Sequence, residues 1–331
     1  LRIGLACNVK PTGEALNLPE DAFEEFDSPE AVARIREALA SFGHDVTVLP
    51  AGPGIVDMLR EVQPDFVFNL AEGTGGRCRE AHVPALLELL DIPYAGSDPL
   101  TLCVTLDKPV AKRLVASGRF PTPAFAVCRD EADAESVELP LPVIVKPAFE
   151  GSSKGVRLAS RATTTEALRG MVRFVTGTYG QDAIVETFVA GPEVTVGIVG
   201  NGDSARVLGM MEIVPKTMPN ETFVYSLEVK RDWENQVSYR VPPALPAGAL
   251  SELSRCALGI YRLLGCRDFS RIDFRIDGSG TPQFIECNPL PGLCPGYGDL
   301  PIMAEAVGIT HRSLVGEILG HALARHGMAA T

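Results

Sequence analysis

Short apolar runs and helical stripes alternate along the first hundred residues. Arg2–Cys7, Asp45–Leu49 and Asp65–Asn69 are runs of the kind that fill a parallel sheet covered on both faces. Between the first two, Val32, Ile35, Leu39 and Phe42 recur at helical spacing. Ser28 is placed to cap that helix, with Pro29 at its first position and Gly43 beyond its last turn. Val83–Leu90 predicts a second amphipathic helix, so residues 1–97 read as a β-α-β-β-α unit with a parallel sheet. A second unit spans 98–186. Asp107 can cap a helix carrying Lys108 in its first turn, with Val110, Leu114 and Val115 facing inward and Gly118 closing it. The Pro-rich 120–125 reads as a linker, followed by strands at Pro142–Lys146 and Val156–Leu158, a helix at Thr165–Val175 and a strand at Ala183–Glu186.

The third unit, 187–331, opens with strands Glu193–Val199 and Arg206–Ile213. The polar stretch 215–236 predicts a mobile loop, and a long helix follows over Gly248–Leu264. Next, two alternating segments flank the turn-forming DGSG at 277–280 and predict an antiparallel hairpin, then a helical tail. With Gly278–Thr281 as the loop, Asp273 lies across from Glu286 and Arg271 across from Asn288. Strand side chains alternate with period two, so these four share one face. Ile272, Phe274, Ile276, Ile285 and Cys287 take the other, which suits burial. An acid facing an acid destabilises a hairpin unless something cationic sits between them. Two carboxylates and an amide oxygen suit a hard cation such as Mg²⁺, which binds through few carboxylates plus phosphates. A plain solvated face fits the same pattern, and the site reading therefore requires phosphate-binding groups elsewhere.

Bulk properties narrow the class. A chain of 331 residues exceeds one ordinary core, and 46% hydrophobic with 22% charged residues describes a globular protein rather than a disordered one. The net charge of −12 argues against a nucleic-acid backbone as partner. Eight cysteines contain no C-x-x-C pair and lie mostly in apolar surroundings, which predicts buried free thiols. No apolar run approaches the ~18 residues of a membrane span. The chain opens on a strand pattern without a signal-peptide pattern, so a cytoplasmic protein without membrane association is expected.

Several residues carry candidate chemistry. Lys146 ends an apolar strand, and the loop Glu150, Gly151, Ser152, Ser153 through Gly155 has the small residues that let backbone N–H groups approach an anion. That loop is equally compatible with a plain turn. Glu186 and Glu193 bracket a turn whose backbone could face a purine, while a carboxylate could accept ribose hydroxyls; two surface glutamates beside a turn is the alternative. The Gly-rich EGTGG at 72–76 is not G-x-G-x-x-G, so a Rossmann dinucleotide site is not supported.

In order and spacing, PYAGSDPL (93–100), LDKPVAKRL (106–114), VKPAFEGSSKGV (145–156), ETFVAGPEVTV (186–196), SRIDF (270–274) and FIECNPLPG (284–292) resemble the ATP-grasp ligases, and among them the D-alanine–D-alanine ligase family. The resemblance implies an ATP-grasp fold: two α+β subdomains gripping ATP, preceded by a Rossmann-like parallel α/β domain. It implies an ADP-forming carboxylate–amine ligase working through an acyl phosphate, as in peptidoglycan (cell-wall) biosynthesis, with small amino-acid substrates and a homodimeric assembly. Lys108 and Lys146 should then contact ATP phosphates, with the loop 150–155 closing over them. Glu186, Phe188 and Val189 should line the adenine, and Glu193 the ribose. Lys230 resembles the family's lysine on a loop covering the γ-phosphate. Asp273, Glu286 and Asn288 match the ligands of two divalent ions, Mg²⁺ or Mn²⁺. Arg271 and the backbone of Gly292 match groups that steady the reacting carboxylate, Glu25 resembles the glutamate holding the first substrate's ammonium, and Ser153 joins this catalytic set.

Three departures bear on substrate. The family usually has a histidine where this chain has Glu72, a tyrosine where it has Arg231, and a Ser-Leu pair where it has PGYGDLP (295–301), which puts Gly298 or Asp299 in place of the serine. An acid beside an acceptor's carboxylate repels it unless Arg231 or another cation compensates. A different amino-acid or natural-product substrate fits this pattern; so does D-alanine if Asp299 points away. A non-catalytic nucleotide-binding module predicts loss of a metal ligand or phosphate lysine, and none is missing. A carrier-linked ATP-grasp enzyme predicts a docking segment that these residues do not evidently contain.

Overall fold

A computed structural model of the chain describes residues 1–11 and 18–329. The first sheet is parallel throughout, in the order β2-β1-β3-β4, built from β1 (Arg2–Cys7), β2 (Asp45–Pro50), β3 (Phe66–Leu70) and β4 (Tyr94–Ala95). Helix α1 (Pro29–Ala40) starts where expected, with the Ser28 hydroxyl accepting from Ala31 N at 3.1 Å. Helix α2 (Ile55–Val62) lies between β2 and β3 and was absent from the expected element order. It follows from the parallel sheet itself, because two parallel strands need a crossover connection, usually helical. Helix α3 (His82–Leu89) precedes β4. No described helix is long and apolar enough to cross a membrane.

Helices α4 (Pro99–Leu106) and α5 (Lys108–Ser117) lead into the second sheet. Asp107 caps α5 by accepting from Val110 N at 2.9 Å, which fixes Lys108 in the first turn. That sheet is antiparallel, in the order β5-β8-β6-β7, from β5 (Phe125–Cys128), β6 (Val143–Pro147), β7 (Arg161–Ala162) and β8 (Ala183–Thr187). Helix α6 (Thr165–Tyr179) covers it through Leu168, Met171, Val172 and Val175. The strand expected at 156–158 does not form; this segment bends into a 3-10 turn at Leu158–Ser160.

The third sheet is antiparallel, in the order β11-β10-β9-β12-β13, from β9 (Glu193–Val199), β10 (Arg206–Pro215), β11 (Val237–Arg240), β12 (Phe269–Ile276) and β13 (Pro282–Asn288). The stretch 215–236, expected as a loop, contains two short helices, α7 (Leu227–Arg231) and α8 (Trp233–Gln236). Phe223, Val229 and Val237 form a small core beneath them. Helix α9 (Ala247–Leu264) packs on the face formed by Val194, Val196, Ile198, Ile272 and Phe274. Helices α10 (Asp299–Ala306) and α11 (His311–Arg325) close the chain, and α11 joins β1, β3 and α1 in one core with Val199 and Phe269 of the third sheet. All eight cysteines are free, as expected, although Cys78 is exposed and Cys103 and Cys294 are partly so.

Candidate active site

The β12–β13 hairpin pairs Asp273 with Glu286 and Arg271 with Asn288, the register read from the alternation. The register then shifts by one residue, so Phe274 faces Phe284 and Ile276 faces Pro282. This β-bulge corrects one expectation. Phe284 is fully buried in the core, while Ile285, assigned to the core face, turns to the cavity wall beside Glu286.

The hairpin floors a cavity of about 290 Å³ into which all three sheets project. Lys108, Lys146, Glu150, Gly151, Ser152 and Ser153 line it from the second unit. Glu186, Phe188, Val189 and Glu193 line the opposite stretch, and Lys230, Arg271, Asp273, Glu286, Asn288 and Gly292 line the hairpin side. Glu25 and Glu72 enter from the parallel-sheet unit. The sequence-predicted residues therefore meet around a single space. Ser152, Ser153 and Gly155 all adopt positive φ, a left-handed backbone that stores strain in the two serines, as ligand-binding loops often do.

At one end the charges run in alternation. Lys146 Nζ lies 3.1 Å from Glu186 Oε1, and Lys112, which the sequence reading passed over, lies 3.4 Å from the same atom. Lys112 is fully buried, and its Nζ donates to Thr122 Oγ1 at 2.9 Å and to the Phe284 carbonyl at 3.1 Å. Burial pushes its pKa down to about 8 despite the Glu186 carboxylate. Arg275 stacks its guanidinium over the Phe188 ring at 4.8 Å, and burial pushes the Glu193 carboxyl up.

At the hairpin, Lys108 Nζ sits 3.2 Å from Glu286 Oε2 and also donates to the Glu150 carbonyl. Arg271 Nη1 donates to Asp273 Oδ2 at 2.8 Å and lies 3.2 Å from Asp299 Oδ2. Burial raises the Asp273 carboxyl. The same burial acts on Glu286, but Lys108, Lys146 and Arg271 outweigh it and hold that carboxyl below its usual range. Lys230, on α7, is pushed down by burial and by the Arg271 charge. Gly292 is held close to Gly298, where a Cβ would come within 2.2 Å of the Gly292 carbonyl oxygen.

Glu25 reaches the cavity wall through a network of donors. Its Oε1 accepts from Arg79 Nη2 at 2.6 Å and from Gly151 N at 2.7 Å, and its Oε2 accepts from Lys154 Nζ at 3.1 Å. Lys154 also lies 2.5 Å from Glu150 Oε2, and Arg79 Nη1 donates to the Phe149 carbonyl at 2.8 Å. Arg79 and Lys154 went unrecognised because their partner stands 54 and 129 residues away, beyond any local signal. Arg231 is not on the cavity wall. It donates to Glu24 Oε1 at 2.9 and 2.7 Å, so the cation beside Asp299 is Arg271 instead. Two further contacts join residues 150–156 to the segment above them: the Ser153 hydroxyl donates to the Tyr225 carbonyl at 2.9 Å, and Leu227 N to the Val156 carbonyl at 3.0 Å.

Comparison with known proteins follows the same lines. A family model described as the D-ala D-ala ligase C-terminus matches residues 120–320. The uncharacterized protein y4sG of Sinorhizobium fredii is 31% identical over 338 residues, covering 98% of each chain. A D-alanine–D-alanine ligase of Moorella thermoacetica is 33% identical, covering 87% of this chain and 92% of that one. The crystal structure of a D-alanine–D-alanine ligase from Bacillus anthracis complexed with ATP superposes with a TM-score of 0.73 at 19% identity, covering 98% of both chains, which establishes the shared fold.

Proposed function

Because the chain belongs to the D-alanine–D-alanine ligase family of ATP-grasp enzymes, we propose that it uses ATP to join the carboxylate of a small amino acid to the amine of a second, releasing ADP and phosphate. A carboxylate is a poor electrophile with a poor leaving group, so phosphorylation by ATP comes first. The acceptor amine then attacks the acyl phosphate and expels phosphate, leaving an amide. Negative charge builds first on the transferred phosphoryl group and then on the carbonyl oxygen. Fixed cations stabilise both without reorganising, so preorganised electrostatics accounts for the catalysis. The observation that carries this reading is the convergence of Lys108, Lys146, Lys230 and Arg271 on the opposed pair Asp273 and Glu286 in one cavity.

In this reading Lys108, Lys146, Lys230 and the loop from Glu150 to Ser153 hold the ATP phosphates. Glu186, Phe188, Val189 and Glu193 take the nucleoside. Arg271 and the Gly292 backbone steady the reacting carboxylate. The residues at the hairpin fit divalent metal. Asp273, Glu286 and the Asn288 amide are an all-oxygen donor set suited to Mg²⁺ completed by phosphate oxygens. Among the described residues no group of three or more His, Cys, Asp and Glu is gathered for a metal. The ion, when bound, supplies Lewis-acid charge neutralisation at the phosphates. The chain's own cations now cover the two acids: Arg271 on Asp273, Lys108 on Glu286.

Asp299 favours an acceptor other than D-alanine. Its carboxylate lies on the cavity wall against Arg271, where it opposes a second carboxylate. A homodimer belongs to the same reading, and the exposed Leu89 on α3 and Leu100 on α4 supply apolar surface for it; sedimentation would report the mass.

Incubation with ATP, Mg²⁺ and single or paired D- and L-amino acids tests the proposal, with phosphate release and product mass as readouts. Amino-acid-dependent phosphate release with a new dipeptide is expected. Release that no amino acid stimulates would overturn the ligase reading, and D-alanyl-D-alanine as the best product would overturn the altered acceptor.

A further inference from the structure

Lys112 is a charge that the mechanism above does not use. It stands one helical turn after Lys108 on α5, yet it is fully buried and is not on the cavity wall. Keeping an ammonium ion out of water is unfavourable, and burial pushes its pKa down to about 8. An apolar side chain of similar volume would fill the same space without that penalty. What Lys112 faces must therefore account for its presence.

Its Nζ donates to Thr122 Oγ1 at 2.9 Å and to the Phe284 carbonyl at 3.1 Å, which anchor it, and it directs its charge at Glu186 Oε1, 3.4 Å away. Lys146 Nζ lies 3.1 Å from the same oxygen. Glu186 is only 1% exposed, so its carboxylate needs a cation beside it. Lys146, unlike Lys112, is on the cavity wall. Its charge also reaches the hairpin, where Lys108 and then Lys146 hold the Glu286 carboxyl low against the effect of burial. Lys146 thus stands between two acids, while Lys112 serves one of them from behind.

That arrangement resolves a conflict. A phosphate that draws Lys146 away from Glu186 would leave a buried carboxylate bare if Lys146 were its only partner, and an unpaired buried charge is strongly unfavourable. We propose that Lys112 is a positioning residue, a resident counter-ion that keeps Glu186 paired and so frees the Lys146 ammonium to bind the phosphates of the nucleotide. This rests on the placement of the nucleotide given above. Two lysines share one acid; the one held by Thr122 and Phe284 stays, and the one on the cavity wall turns to the ligand.

Binding of ADP with Mg²⁺, and of adenosine, which has no phosphate, tests the assignment in wild type, Lys112→Met, Glu186→Gln and the double variant. The readout is the ratio of the adenosine Kd to the ADP Kd, which isolates what the phosphates contribute. Lys112→Met should cut that ratio at least about tenfold, because Glu186 then detains Lys146, with the adenosine Kd within about twofold of wild type. Adding Glu186→Gln removes the detaining charge and should restore the ratio, a rescue that loosened packing does not produce. A Lys112→Met ratio within about twofold of wild type overturns the inference, as does a double variant no better than Lys112→Met. None of these measurements needs amide formation. Wild type that binds ADP but releases no phosphate with any amino acid therefore overturns the ligase reading alone. Wild type that binds no ADP overturns the nucleotide placement and this inference with it. Thermal melts identify a variant that has lost its fold; Lys112→Gln, which keeps a donor for the Phe284 carbonyl, then takes the place of Lys112→Met.

Discussion

Asp299 Oδ2 lies 3.2 Å from Arg271 Nη1, at the first turn of α10 and on the wall of the cavity. On the proposed reading that acid stands where a carboxylate-bearing acceptor would bind, and it pairs with the Arg271 guanidinium. Asp299→Ser is therefore expected to raise kcat/KM for acceptors with a free α-carboxylate about tenfold, equivalent to about 1.4 kcal/mol. Competition between an amino acid and its carboxamide, followed by product mass, measures it. An unchanged preference would mean that Asp299 has no part in acceptor choice.

Asp273 sits directly across from Glu286 and also accepts from Thr195 Oγ1 at 2.8 Å. Asp273→Asn preserves the shape and removes one of two opposed charges. Turnover should fall on the order of 10³-fold, the scale of losing one preorganised electrostatic group. A titration of phosphate release with Mg²⁺ checks this, and ATP consumption equal to wild type would remove Asp273 from the metal set.

Arg231 joins the segment above the cavity to Glu24 and, at 3.6 Å, to Glu20. The pairs are partly exposed, so Arg231→Ala should cost less than about 1 kcal/mol of stability. Its larger effect should be on water exclusion, since acyl phosphates hydrolyse when a closing segment opens. The ratio of phosphate released to amide formed is expected to rise clearly above one in the variant. A ratio unchanged from wild type would leave Arg231 as a surface pair.

Glu80 is buried, and that burial pushes its carboxyl up to about 8 against the pull of Arg79. The folded state therefore holds a proton that the unfolded state releases at lower pH. Its contribution to stability is complete below the unfolded pKa, near 4.5, and is lost as pH rises through about 8. Glu80→Gln removes the proton dependence. Its melting temperature should match wild type near pH 5 and exceed it by several degrees near pH 9. Parallel melting curves at both values would show that Glu80 is not a buried proton carrier.

What was legible depended on range. The hairpin register was readable because the turn and the alternation lie within twenty residues, and the cap at Asp107 because capping is local. The bulge was not, since Phe284 and Ile285 are interchangeable to a hydrophobic pattern and only packing against Phe274 selects one of them. Glu25 was named by resemblance, while its pairing with Arg79 and Lys154 depends on contacts between units that no local pattern encodes. The helices within 215–236 escaped for a related reason. They are short, and the burial of Phe223 and Val229 supports them more than propensity does.

The bulge in β13 has a consequence for the shape of what can bind. A strictly alternating strand shows a ligand every second residue, so a greasy contact and a charged one on it stand two positions apart. Here Ile285 and Glu286 both face the cavity in succession. A flat, water-shunning group and a highly charged one can thus be received side by side on a single strand, like adjacent teeth of different cut on one key. Deleting Ile285 would restore a regular register, keep Glu286 across from Asp273 and take the apolar contact off that wall.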